Sequence, residues 1–131
     1  MAAWTPKTWP PQTWIGLAAL SGLCAVALGA FAAHGIDAPK PAEWLRTGSL
    51  YQMTHALAVF GAFALGRAGA RGMGLVAGLF LTGTLLFSGS LYIMALGGPR
   101  VLGAVTPVGG LAFMVGWAVL AWRAFTLPKA D

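Results

Sequence analysis

Charge is what this chain has least of. Only 8% of its 131 residues are Asp, Glu, Lys or Arg, and the acids number three, where soluble domains carry about 25% charge. With 58% hydrophobic residues, a water-soluble fold would have too little polar surface to stay dispersed. The composition excludes an ordinary soluble domain and fits the bilayer as solvent, and the length fits one domain. Cysteine is almost absent too. Cys24 is alone, which excludes an intrachain disulfide and a cysteine-built metal site. Inside an apolar run it reads as a small core residue, and Leu23 before it does not suit a lipoprotein cleavage site. A net charge of +5 comes from eight Lys and Arg, but they stand singly between apolar runs. No basic patch tracks a phosphate backbone, so nucleic acid is not an expected partner.

The scarce charges divide the chain. None lies between Lys7 and Asp37, Arg46 and Arg67, Arg71 and Arg100, or Arg100 and Arg123. Each gap is long enough for the roughly 20 apolar residues that cross a hydrocarbon core of about 30 Å. The expected fold is all-α: a four-transmembrane-helix antiparallel bundle with helices near 13–34, 41–66, 72–97 and 101–122. The first span is too long for a signal-peptide core and no small-residue cleavage site follows it, so it reads as retained. Residues 1–12 form a Trp-rich interfacial segment. Trp4, Trp9 and Trp14, with Trp44, Trp117 and Trp122 at other span ends, suit an aromatic belt.

Four spans put Lys7, Arg67, Arg71, Arg123 and Lys129 on one side and Lys40, Arg46 and Arg100 on the other. The bias predicts N-in, C-in. Small residues four apart, as in Ala18/Gly22, Ala25/Gly29, Gly29/Ala33, Ala62/Gly66 and Gly74/Gly78, let helix backbones approach in lipid. Pro39 and Pro41 stop the first helix, and Pro41 suits the first turn of the next. Thr106-Pro107 breaks a backbone bond one to two turns into the last helix, where a kink is expected.

Polar residues in lipid are costly and face the bundle interior. Tyr51, Gln52 and His55 share a face of the second helix. Thr84, Ser88 and Tyr92 repeat every four residues on the third, with Ser90 on another side, and Thr106 opens the fourth. At about 1.5 Å per residue His55, Ser88, Tyr92 and Thr106, with His34 at the end of the first helix, are expected in the outer half of the bundle. The inner half is nearly all Leu, Ala, Val, Phe and Gly.

Several chemistries compete for this cluster. Paired axial haem ligation by His34 and His55 needs equal depth, which they lack. Zinc would have only the two histidines and Glu43. Proton movement wants carboxylates or a His chain within the spans, which hold no Asp or Glu. A Ser88 or Ser90 nucleophile based on His55 would need Glu43 or Asp37 to orient it, and Phe87-Ser88-Gly89-Ser90 does not match a hydrolase elbow. Interhelical hydrogen bonding, worth about 0.6 kcal/mol per bond in membranes, takes the largest share.

Several segments also resemble a known family. Gly29-Ala30-Phe31-Ala32-Ala33-His34-Gly35 resembles a Gly-Ala-Phe-x-Ala-His-Gly signature of small bacterial membrane proteins. Thr47–Leu57 is similar to that family's TG-x-x-YQ-x-x-HAL segment, and Leu86–Tyr92, Thr106–Gly110 and Gly116-Trp117 also fit. The family is the YgdD/YwdK-like group, domain of unknown function 423, related to eukaryotic transmembrane protein 256. The resemblance implies a multi-spanning protein of the bacterial inner membrane, with no activity assigned. It covers His34, Tyr51, Gln52, His55, Ser88, Ser90, Tyr92, Thr106 and Pro107, but not the Trp-rich N-terminal extension.

The expected function is non-enzymatic: a structural or accessory membrane protein, or a binder of a lipid-like ligand. The alternatives are a small oligomeric channel or transporter, and a haem or metal protein. No cofactor is expected. The expected partners are membrane lipids and a second copy or a membrane-complex subunit.

Overall fold

The computed structural model describes residues 10–130. Trp4, Lys7 and Trp9, assigned above to the interfacial segment and the loop charges, lie outside them. Four α-helices follow one another: α1 (Pro11–His34), α2 (Pro39–Arg67), α3 (Met73–Ala95) and α4 (Thr106–Phe125), with a short 3-10 helix at Arg100–Ala104 leading into α4. There is no strand among the described residues.

Proline starts three of these helices. Pro11, Pro39 with Pro41, and Pro107 stand in first turns, where a missing N–H costs nothing because that group has no intrahelical acceptor. α1 and α2 therefore begin two residues before the expected positions. The α2–α3 connection turns tightly through Gly69 and Gly72, whose φ angles of 102° and 77° would strain any residue with a Cβ.

The expected kink at Thr106-Pro107 is instead a helix start. Within a continuous helix from Val101, the Pro107 ring would collide with the carbonyl of Gly103. The chain winds residues 100–104 more tightly as a 3-10 helix and begins the α-helix at Thr106, with proline in the first turn.

The helices pack in chain order. α2 and α3 are central, α1 lies along α2, and α4 lies along α3; α1 barely meets α3, α4 barely meets α2, and α1 and α4 do not touch. The antiparallel bundle is thus an open row with a side gap between α2 and α4. Burial follows this order. α2 and α3 carry most of the buried residues, whereas α1 buries Ala18, Ala25 and Ala32 at seven-residue spacing and α4 buries Gly109, Phe113 and Gly116. Leu20, Leu23, Leu57, Leu75, Leu85, Met114 and Phe125 are exposed, a surface suited to lipid and not to water. Cys24 is exposed as well, so it is no core residue: only one stripe of α1 meets protein, and position 24 is off it.

Pro11–His34, Met73–Ala95 and Arg100–Phe125 are long and apolar enough to cross a membrane. α2 is the longest helix, with 29 residues, but the least apolar. Its Gln52 and His55 are buried. Lying between α1 and α3, it turns these groups toward protein.

The α3–α4 seam has a regular construction. Phe80 faces Gly116, Gly83 faces Phe113, Phe87 faces Gly109, and Ser90 meets Thr106. Two levels set an aromatic ring against a glycine, Phe80 from α3 and Phe113 from α4, while Gly109 lies against the backbone and Cβ of Phe87, whose ring reaches Gly110. Both helices space these positions three, four and three residues apart, so the two sets meet in antiparallel register. Lipid tails are as apolar as the rings, so burial alone does not hold helices together in a bilayer. Close dispersion contact and interhelical hydrogen bonds do, and the seam provides both. Across α1–α2, Gly22 and Gly29 face Met53 and Ser49.

Candidate functional site

The polar residues predicted to form one cluster resolve into separate links between neighbouring helices. Gln52 on α2 donates from Nε2 to Ser21 Oγ on α1 (3.1 Å) and accepts at Oε1 from the Tyr92 hydroxyl on α3 (2.6 Å). One amide thereby ties three helices. Ser88 donates to the Gly48 carbonyl (2.7 Å), where α3 comes close to α2: a Cβ on Gly48 would meet the Tyr92 ring at 2.6 Å. Ser90 and Thr106 join α3 to α4 through their hydroxyls at 2.6 Å. Thr84 turns back on its own helix, donating to the Phe80 carbonyl (2.9 Å).

His55 makes the link across the side gap. Its Nδ1 lies 2.7 Å from the Tyr51 carbonyl, and its Nε2 lies 3.0 Å from Trp117 Nε1. A carbonyl can only accept and an indole N–H can only donate. The ring is therefore the neutral tautomer, with its proton on Nδ1 and a lone pair on Nε2. It stacks on Phe113 (centroids 3.5 Å apart, planes within 7°) and packs against Phe80 at 5.3 Å. Tyr51 covers Phe87 at 4.4 Å.

These rings floor a groove of about 790 Å³ between α2 and α4. Leu50, Phe87, Pro107, Leu111, Phe113 and Met114 make it apolar, while Tyr51, Thr54, His55 and Trp117 supply its polar groups. Pro107 and Trp117 both line it, so it runs along α4 for about 15 Å at the helical rise.

The arrangement bears on each chemistry weighed from the sequence. His34 is exposed at the last position of α1 and joins none of these links. Both nitrogens of His55 are engaged, so the two histidines do not offer a facing pair of free ligands. Among the described residues no group of three or more His, Cys, Asp or Glu could hold a metal. The serine–histidine pairing is not made either: Ser88 donates to Gly48, Ser90 is bonded to the Phe87 carbonyl and Thr106, and His55 is bonded to Trp117. Asp37 and Glu43 are exposed, with Glu43 3.4 Å from Lys40.

Three participants escape the sequence reading. Trp117 is expected in an interfacial belt, yet it sits mid-helix with its N–H on His55. Composition shows an indole near a chain end but not where α4 stops. Ser21 is a lone hydroxyl in an apolar helix, a signal that was available. Phe113 is indistinguishable from other core phenylalanines until the α3–α4 register is known.

Residues 28–110 match the family described as "Protein of unknown function (DUF423)". The UPF0382 membrane protein of Haemophilus influenzae is 42% identical over 115 residues, 86% of this chain and 93% of the relative. The UPF0382 membrane protein YwdK of Bacillus subtilis is 42% identical over 114 residues, 83% of this chain and 93% of the relative. The UPF0382 inner membrane protein YgdD of Escherichia coli K12 is 42% identical over 116 residues, 86% of this chain and 88% of the relative. No solved structure matches the chain. With its apolar helices and these relatives, the chain is an integral membrane protein and belongs to the DUF423 family, that of the UPF0382 membrane proteins.

Proposed function

We propose that this chain is a non-enzymatic protein that crosses the membrane four times, N-in and C-in, and holds a lipid-like molecule in the groove between α2 and α4. The groove itself carries the proposal. Its volume of about 790 Å³ lies within the roughly 300–1,000 Å³ of small-molecule sites. It opens sideways between two membrane helices, so an apolar ligand enters from the bilayer without crossing water. Its floor is fixed by stacked rings and the His55–Trp117 hydrogen bond, and Tyr51 and Thr54 offer hydroxyls to a polar group on the ligand. The non-enzymatic reading rests on commitment: Gln52, His55, Ser88, Ser90 and Tyr92 all hold helices to one another. The orientation rests on the greater number of Lys and Arg at the end bearing both termini.

A photoactivatable fatty acid tests this. Labelled palmitate is cross-linked to the protein in nanodiscs and the adducts are mapped. Saturable labelling of residues 50–55 and 107–117, competed by unlabelled palmitate and abolished by Thr54→Trp, is expected. Labelling spread evenly over the lipid-facing helices, unchanged by that substitution, would refute the proposal.

A further inference from the structure

At the opposite end of the molecule, a second cavity of about 250 Å³ is lined by Gly69, Ala70, Arg71, Arg123, Thr126 and Pro128. Its composition is the reverse of the groove's: two guanidinium groups, a hydroxyl and backbone. Arg123, in the last turn of α4, reaches back over the start of α3. A Cβ placed on Gly72 would lie 3.9 Å from its Nε and 4.0 Å from its Nη2. That Nε is buried and has no hydrogen-bond partner. A buried guanidinium N–H without an acceptor is costly, and among the described residues no group accepts from it.

The charged side chains around the cavity are positive, while the ends of α2 and α4 bring backbone carbonyls to the same side. Gly72 precedes the first turn of the 23-residue α3, whose N-terminus has no side-chain cap. Its leading N–H groups and helix dipole present partial positive charge there. Arg71 lines the same cavity and is exposed. The chain has three acids. Asp37 and Glu43 lie beside the α1–α2 connection, at the other end of the bundle, and Asp131 is outside the described residues. The ion pair between described residues is Lys40–Glu43, also at the far end. Two arginines line one concave site with no anion supplied by the described chain.

We propose that this pocket binds a phosphate group, with Arg123 and Arg71 as its ligands. Guanidinium forks match phosphate oxygens in pairs. The exposed Trp122 and Phe125 beside it, 66% and 91% accessible, suit an acyl-chain neighbourhood. An anionic lipid headgroup and a free phosphate share the required chemistry. The site is separate from the groove, so either can fail alone.

The test uses the full-length protein in dodecyl maltoside, with bound molecules counted by native mass spectrometry. It is titrated separately with dioleoyl phosphatidylglycerol, dioleoyl phosphatidylcholine and inorganic phosphate. One phosphatidylglycerol should be retained preferentially over phosphatidylcholine, whose choline cancels the charge. Retention should fall roughly tenfold in Arg123→Gln and fall in Arg71→Gln, an exposed position where folding is not at stake, while Arg46→Gln at the far end leaves it unchanged. Binding of inorganic phosphate with the same arginine dependence, without phosphatidylglycerol preference, identifies a free anion as the ligand. Equal retention of both lipids with no arginine-dependent phosphate binding overturns the proposal. So does anion binding that appears only in Asp131→Asn, since the chain's own carboxylate then fills the pocket.

Discussion

Adding one methyl group at Gly109 should separate α4 from α3. A Cβ there would collide with the Phe87 backbone nitrogen and lie 2.8 Å from both the Gly83 carbonyl oxygen and Phe87 Cβ. No side-chain rotation relieves contact with backbone, so the helices must part. A gap of about 0.5–1 Å forfeits a quarter to a half of the dispersion well at each contact. The loss extends along the seam to Phe80–Gly116 and Gly83–Phe113, and stretches the 2.6 Å Ser90–Thr106 bond. Overpacking costs about 1–3 kcal/mol in ordinary cores, and Gly109→Ala should reach at least the top of that range. Gly83→Ala meets the Phe113 ring at 2.6 Å and the Gly109 carbonyl oxygen at 3.1 Å; the ring moves only by disturbing its stack on His55, so about 1–3 kcal/mol is expected. Gly61 has nothing within 4 Å, and alanine there should be neutral or stabilising by up to about 1 kcal/mol. Equilibrium unfolding in mixed SDS–dodecyl maltoside micelles measures all three. A Gly109→Ala protein as stable as wild type, or a Gly61→Ala protein as damaged as Gly109→Ala, would refute the seam as described.

Other consequences follow from the interhelical links. Trp117→Phe removes the donor to His55 Nε2 and should cost about 0.6–1.7 kcal/mol; nitrogen-15 NMR of the imidazole should show the Nδ1–H tautomer in wild type and a shifted Nε2 resonance in the variant. Gln52→Leu and Tyr92→Phe break the same 2.6 Å hydrogen bond, so their unfolding costs should be non-additive in the double mutant, whereas additive costs would mean the bond is absent. Cys24, exposed midway along α1, should resist a charged maleimide in intact membranes and react fully in SDS; rapid labelling in membranes would place that face in water.

The helices were legible because charges are so few that each marks a boundary, and Pro41 marked the start of the second. Pro107 was misread as a kink because periodicity does not separate a 3-10 lead-in from the first turns of an α-helix. Depth was legible only in part: Ser88, Tyr92 and Thr106 fall in the half of the bundle nearest the first and third connections, whereas α2 starts at Pro39 and runs 29 residues, which puts Gln52 at its middle and His55 past it, level with Phe80 and Trp117. Azimuth across helices was not legible. His34 shared that half yet points away, and Ser21 belonged to the network with no neighbour in sequence to announce it. The ring–glycine seam was invisible for the same reason, since Phe80 and Gly116 become partners only when α3 and α4 take one antiparallel register. The side groove follows from the row-like packing, which loop lengths do not determine.

A crystal structure grown from a lipidic mesophase tests the central claim most directly. An elongated non-protein density should lie in the α2–α4 groove against Phe113 and Trp117, and disappear in Thr54→Trp. A groove closed by direct α2–α4 packing, or one holding no density beyond that of the surrounding lipid, would contradict it.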